Sequence, residues 1–181
     1  MKALIVCLFM MVLSTITGPE ARAYEPGALY ADPYAAVGYN PIQGTSFRLG
    51  LDLGYGIHEQ MAAGVGAYFA AGERPSHDRE IGAGPFVSFF QPLTGFLFAH
   101  IRQEINYVDL FYPYKKTDLS GEVTYDHTHE TGVISATTLG GHLSFTRNFG
   151  VSAGYRAVLA LSNTALDDDR SGWYFGFSLG I

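Results

Sequence analysis

Five charged residues stand where chemistry would need them: Arg48, Asp52, Arg102, Glu104 and Arg156. Each breaks into a stretch of alternating apolar residues, on the side that is otherwise small. Arg48 and Asp52 are four apart and Arg102 and Glu104 two apart, so in extended chain each pair projects to one face. Charges gathered inside a fold must be paired, because burying one alone is costly. The chemistry they predict is an interior salt-bridge network that fills space, in preference to an ion path. A second cluster is Asp126-His127-Thr128-His129-Glu130, whose histidines share one side of an extended segment. With a carboxylate they could hold Zn²⁺ or Cu²⁺, but a firm site needs a third ligand. His77 supplies one only if two separate loops meet, so solvated loop polarity is the simpler reading. No metal or other cofactor is expected. Asp167-Asp168-Asp169 is likewise read as a soluble acidic loop before a cation site.

The chain start sets the compartment. Met1-Lys2 is followed by an almost wholly apolar run to Ile16, a Gly18-Pro19 break, and Ala21-Arg22-Ala23. That is the layout of a secretory signal peptide spanning residues 1–23, and it is too short and wrongly flanked to cross a membrane. The mature domain is then expected to cover 24–181. Cys7, the only cysteine, falls in the removed segment, leaving no disulfide and no thiolate nucleophile. Cleavage removes two basic residues and one acidic one, taking the net charge from −6 to about −7. That balance argues against a nucleic-acid partner. Only Lys115 and Lys116 remain as lysines, whereas a water-facing exterior normally carries many.

No later run of about 18 apolar residues occurs, and no helical periodicity stands out. Two-residue alternation recurs instead. The clearest case is 46–57, with Phe47, Leu49, Leu51, Leu53, Tyr55 and Ile57 opposite Arg48, Gly50, Asp52, Gly54 and Gly56. Further strands are expected at 61–72, 81–91, 95–109, 131–146, 151–162 and 172–181, with a fainter first strand near 34–40. The faces of 81–91 stay unassigned, because Phe86, Val87, Phe89 and Phe90 occupy both. The breaks alternate short and long, the longest running from Leu110 to Glu130. Short turns therefore gather at one end of an up-and-down sheet, together with both termini, and long connections at the other.

Alternation does not say which face is inside. The less apolar face decides, because it carries mostly Gly, Ala, Ser and Thr, which suit the narrow interior of a small barrel. Tyr39, Tyr55, Tyr107, Phe145 and Trp173, near segment ends, suit the two interfaces of a lipid bilayer. The fold class is all-β: an eight-stranded antiparallel up-and-down transmembrane β-barrel.

The ending resembles a known signal. Tyr174-Phe175-Gly176-Phe177-Ser178-Leu179-Gly180-Ile181 is similar to the terminal assembly signal of outer-membrane barrels, with Tyr174, Gly176, Leu179 and Ile181 at its marked positions. The mature chain resembles the small eight-stranded outer-membrane barrels of the OmpA-like and OmpX-like kind. The resemblance implies a bacterial outer-membrane location, surroundings of outer-membrane lipid including lipopolysaccharide, and insertion by the assembly machinery after periplasmic chaperones. His142-Leu143-Ser144 resembles the His-x-Ser element of outer-membrane lipid A deacylases. That resemblance would make His142 the general base and Ser144 the nucleophile, but the orienting glutamate of that family has no counterpart after Ser144. The expected function is a structural or surface-interaction role through external loops, chiefly 110–130, with no open pore and no assigned external partner. A lipid A-modifying hydrolase using His142 and Ser144 is the alternative, and a small secreted lipocalin-like binder a third.

Overall fold

In this computed structural model the described residues are 24–41, 44–72, 79–117, 123–146, 149–162 and 170–179, with side chains described except over 112–128. The expected signal peptide with Cys7, His77, Asp167, Asp168, Asp169, Gly180 and Ile181 lie outside the described residues, as do the side chains of Asp126, His127 and Thr128.

Eight strands form one closed antiparallel barrel in sequence order. They are β1 (Leu29–Asn40), β2 (Gly44–His58), β3 (Met61–Gly72), β4 (Arg79–Pro92), β5 (Leu97–Thr117), β6 (Val123–Thr146), β7 (Phe149–Ala160) and β8 (Gly172–Leu179). β8 closes the ring on β1, from Tyr34 opposite Ser178 to Tyr39 opposite Trp173. The strands are steeply inclined. A row of paired residues leaves Met61 at the short-connection end, passes Ile101 and Tyr155, and arrives at Thr45 near the opposite end of β2. Such stagger is what closing a sheet into a narrow cylinder requires.

The alternation works as expected on β2, where Phe47 to Ile57 point outward at 43 to 53 % exposure while Asp52 is 3 % exposed. Tyr39, Tyr55, Tyr107, Phe145 and Trp173 are all exposed on the outer face. β4, whose faces the sequence leaves open, turns Glu80, Phe86 and Ser88 inward and Ile81 and Val87 outward. Phe86 and Phe90 occupy the small-residue face because interior partners receive their rings: Arg102 lies 4.1 Å over Phe86, and His100 stacks on Phe90 at 4.2 Å.

Two boundaries differ from expectation. β1 begins at Leu29, five residues before Tyr34, and includes Pro33. Pro33 is tolerated beyond the last residue that pairs with β8 among those described, where a missing N–H breaks no ladder on that side. The segment 110–130 is not a long loop. β5 and β6 stay paired from Leu97 opposite Leu143 to Thr117 opposite Val123. β4 leaves β5 at Phe111, and β6 pairs with β7 only from Ile134, so the remainder stands out as a two-stranded ribbon. Past those points the ribbon has no partner strand on either side among the described residues, and the contrast of faces that marks a half-buried strand is not imposed there.

Inside, tyrosines occupy the space that glycines leave. Tyr30, Tyr34 and Tyr68 sit directly opposite Gly54, Gly50 and Gly82 on the next strand. In each case a Cβ on the glycine would overlap the tyrosine ring. The interior is layered. Tyr68, Val108, Leu110 and Ile134 form an apolar layer towards the long-connection end. Phe90, Phe98, His100 and His142 form an aromatic one towards the other end. Asp52, Arg102, Glu104 and Arg156 lie between, whereas Glu80 sits level with the apolar layer, opposite Leu110.

Candidate functional site

The charged layer is built across the lumen, not along neighbouring strands. Arg102 on β5 points both terminal nitrogens at Asp52 on β2: Nη2 donates to Oδ1 at 3.0 Å and Nη1 to Oδ2. This is the planar two-bond pairing that suits guanidinium and carboxylate. Its Nε donates to Glu104 Oε1 at 3.1 Å. Glu104 also accepts from Asn106 Nδ2 at 2.6 Å, and Arg156 Nη2 on β7 lies 3.7 Å from its Oε2. Asp52 and Glu104 keep only 4 and 7 % of their side-chain surface exposed, so these bonds replace water almost completely.

Arg48 stands apart from this group. Its guanidinium lies 4.0 Å over the Tyr68 ring and 4.0 Å from Glu80 Oε1. Glu80 accepts from the Tyr68 hydroxyl and, at 2.5 Å, from Arg170 Nη1. Four of the five sequence-derived charges thus form one network, Asp52–Arg102–Glu104–Arg156, and Arg48 joins a second centred on Glu80. Sequence reasoning missed Glu80 and Arg170 because both sit in charged breaks. Glu80 carried a usable signal: it shares parity with Phe86 and Ser88 on β4. Arg170 carried none, since it reaches Glu80 from just outside β8. Asp32 was missed with the start of β1; it lies directly opposite Asp52.

The His-x-Ser element does not form a pair. His142 Nδ1 lies 2.9 Å from Ser152 Oγ on β7, and the Ser144 hydroxyl donates to the Thr146 carbonyl at 3.0 Å. The β6–β7 register sets this, placing Ser152 opposite His142, while a bulge between Ser144 and Thr146 turns Ser144 towards its own strand. Both residues sit near the short-turn end of β6.

On the ribbon, His129 Nδ1 lies 3.4 Å from Asp109 Oδ1 and its ring stacks on Phe111 at 5.7 Å. Among the described residues no group of three metal-ligating side chains occurs. Within the terminal segment, Phe175, Phe177 and Leu179 are exposed outward, Gly176 is buried, and Tyr174 shares its inward side.

A closed eight-stranded antiparallel barrel, apolar outside and filled by paired charges inside, is the fold of the small outer-membrane β-barrels. The N-terminal β-barrel domain of Pseudomonas aeruginosa OprF has it, superposing over 86 % of this chain and 98 % of its own at 9 % identity and a TM-score of 0.57. A de novo designed transmembrane β-barrel aligns over 87 % of this chain and 98 % of its own, at 12 % identity and a TM-score of 0.50. Neisserial surface protein A aligns over 84 % and 92 %, at 14 % identity and a TM-score of 0.49. No protein-family model matches the sequence, and no curated protein is similar to it in sequence.

Proposed function

We propose that this chain is a bacterial outer-membrane barrel with a filled interior and no open pore, acting as a structural or surface-interaction protein. The observation that carries this reading is the division of polarity: large apolar residues cover the outer face of the strands, and Asp52, Arg102, Glu104, Glu80 and Arg170 are paired within. In water such an exterior would be a very large exposed apolar patch. In a bilayer it is the lipid-facing band. Residues 1–23 act as the signal peptide. Tyr174, Gly176, Leu179 and Ile181 act as the assembly signal read by the outer-membrane machinery after periplasmic chaperones. Outer-membrane lipid, including lipopolysaccharide, surrounds the barrel, and the β5–β6 ribbon is the contact surface offered to the exterior.

The deciding experiment is fractionation. The protein is expected in the outer-membrane fraction, extracted only by detergent, with a gel mobility that changes on boiling. Release as a detergent-free soluble protein would favour the lipocalin-like reading and overturn this one. A mature mass beginning at Tyr24 tests the cleavage.

The hydrolase reading draws no support from the geometry, because His142 engages Ser152 and not Ser144. Ser144→Ala at wild-type expression is expected to leave lipid A acylation unchanged. A loss of deacylated lipid A in that variant would restore the enzyme.

A further inference from the structure

The short-connection mouth of the barrel carries a segment that no strand requires. Residues 24–28 precede β1 and fold back over the lumen. The Tyr24 amide donates to the Glu59 carbonyl at 3.1 Å, Gly27 to Gly56 at 2.8 Å, and Gly56 in return to Ala28 at 3.0 Å. These bonds hold the segment against the turn between β2 and β3. Gly27 takes a left-handed φ of 84°, which lets the chain double back there. Gly56 is inward-facing and carries no side chain; a Cβ there would collide with the Glu25 carbonyl. The close approach is therefore built into both strands of the contact.

What the segment delivers is the Tyr24 ring. It lies 5.1 Å from the Tyr30 ring and 5.5 Å, edge to face, from Phe90. Phe90 in turn contacts Phe98, His100 and His142. Immediately within lie Ser88, 2 % exposed, and His100, 9 % exposed, whose Nδ1 has no hydrogen-bond partner in the protein. The rings of Tyr24, Phe90 and Phe98 thus separate these polar groups from the solvent at this end.

We propose that segment 24–28 is a strap closing the short-connection mouth, with the Tyr24 ring as its stopper, and that it controls access to the buried polar groups of Ser88 and His100. The proposal rests on the filled-barrel reading but adds a removable element to it. A rigid core would need no strap. Here one ring, on a segment held by three backbone hydrogen bonds and with its hydroxyl bonded to Tyr30 and Ser88, covers these groups.

The mature chain carries no cysteine, so a single Ser88→Cys change reports access by its reaction rate with a small membrane-impermeant thiol reagent in detergent micelles. Leu93→Cys, exposed at the same end, is the reference. The Ser88→Cys protein is expected to react at least about tenfold more slowly than the Leu93→Cys protein, as a protected site does. Adding Tyr24→Ala is expected to raise the rate by about tenfold, whereas Tyr24→Phe keeps the ring and leaves it slow. Gly56→Ala displaces the strap without removing the ring and is expected to act like Tyr24→Ala; it carries the test should Tyr24→Ala fail to fold. Boiling-dependent mobility reports the barrel itself, so failure of the fold is distinguished from failure of the strap. Equal rates at Ser88→Cys and Leu93→Cys, or a rate that neither strap variant changes in a folded barrel, would overturn the proposal.

Discussion

Arg102→Ala is expected to destabilise the barrel by about 3–5 kcal/mol, the cost of leaving a buried ion pair without one partner. Arg102 supplies both hydrogen bonds that Asp52 receives from it and one to Glu104. Glu104 keeps Asn106 at 2.6 Å and Arg156 at 3.7 Å, so Asp52 is the group stranded. Packing is lost as well, since the guanidinium covers the Phe86 face at 4.1 Å. The double variant Arg102→Ala/Asp52→Ala removes the stranded charge and is expected to be more stable than Arg102→Ala alone. Urea unfolding in micelles, followed by gel mobility, measures both variants against the unaltered protein; a loss below about 1 kcal/mol for Arg102→Ala would mean that water reaches Asp52 freely.

Val65→Arg is expected to cost about 2–4 kcal/mol in a bilayer, although Val65 is 57 % exposed. Val65 sits mid-strand on β3, opposite Leu53 and Pro85, in the middle of the outward apolar band. Tyr39→Arg, at the end of β1 where the band meets the interface, is expected to cost only about 0–1 kcal/mol. The contrast is the measurement. On a water-facing surface both changes would fall within about 0.5 kcal/mol of zero. Equal and small effects in lipid vesicles would remove the membrane-facing assignment of this surface.

Much of the fold was legible because lipid outside and a tight interior impose opposite polarities on alternate residues. That is why 61–72 matched β3 in both limits and why Arg48, Asp52, Arg102 and Glu104 could be assigned inward from parity. Partners were not legible. Arg102 and Asp52 lie on β5 and β2, which are not neighbours, so their meeting depends on the diameter and stagger of the closed ring. Glu80 and Arg170 were hidden for a different reason: the signal separating strand from connection is loss of apolar character, and a charge at a strand end cannot be told from one beyond it. The same blindness turned the part of the β5–β6 ribbon that extends past β4 and β7 into an expected loop. His142 was placed on the inner face, and the His-x-Ser resemblance set Ser144 beside it as an alternative, whereas Ser152 meets it through the β6–β7 register.

The tyrosine-over-glycine contacts bear on how the strands find one another. Polarity forbids a mispairing by one residue, because every side chain would change faces, but it is silent about a mispairing by two. Such a shift between β1 and β2 would carry Tyr34 from Gly50 to Arg48 or Asp52, where its ring has no room to lie flat. Between β3 and β4 it would carry Tyr68 from Gly82 to Glu80, or to Gly84, whose open side the β5 backbone at Ile105 and Asn106 already fills. Each ring and its hollow therefore act as a key and lock that checks alignment in steps of two, the step that alternation leaves unguarded. In a chain built largely from repeating small and apolar residues, those few large-against-nothing pairs tell one strand offset from the next.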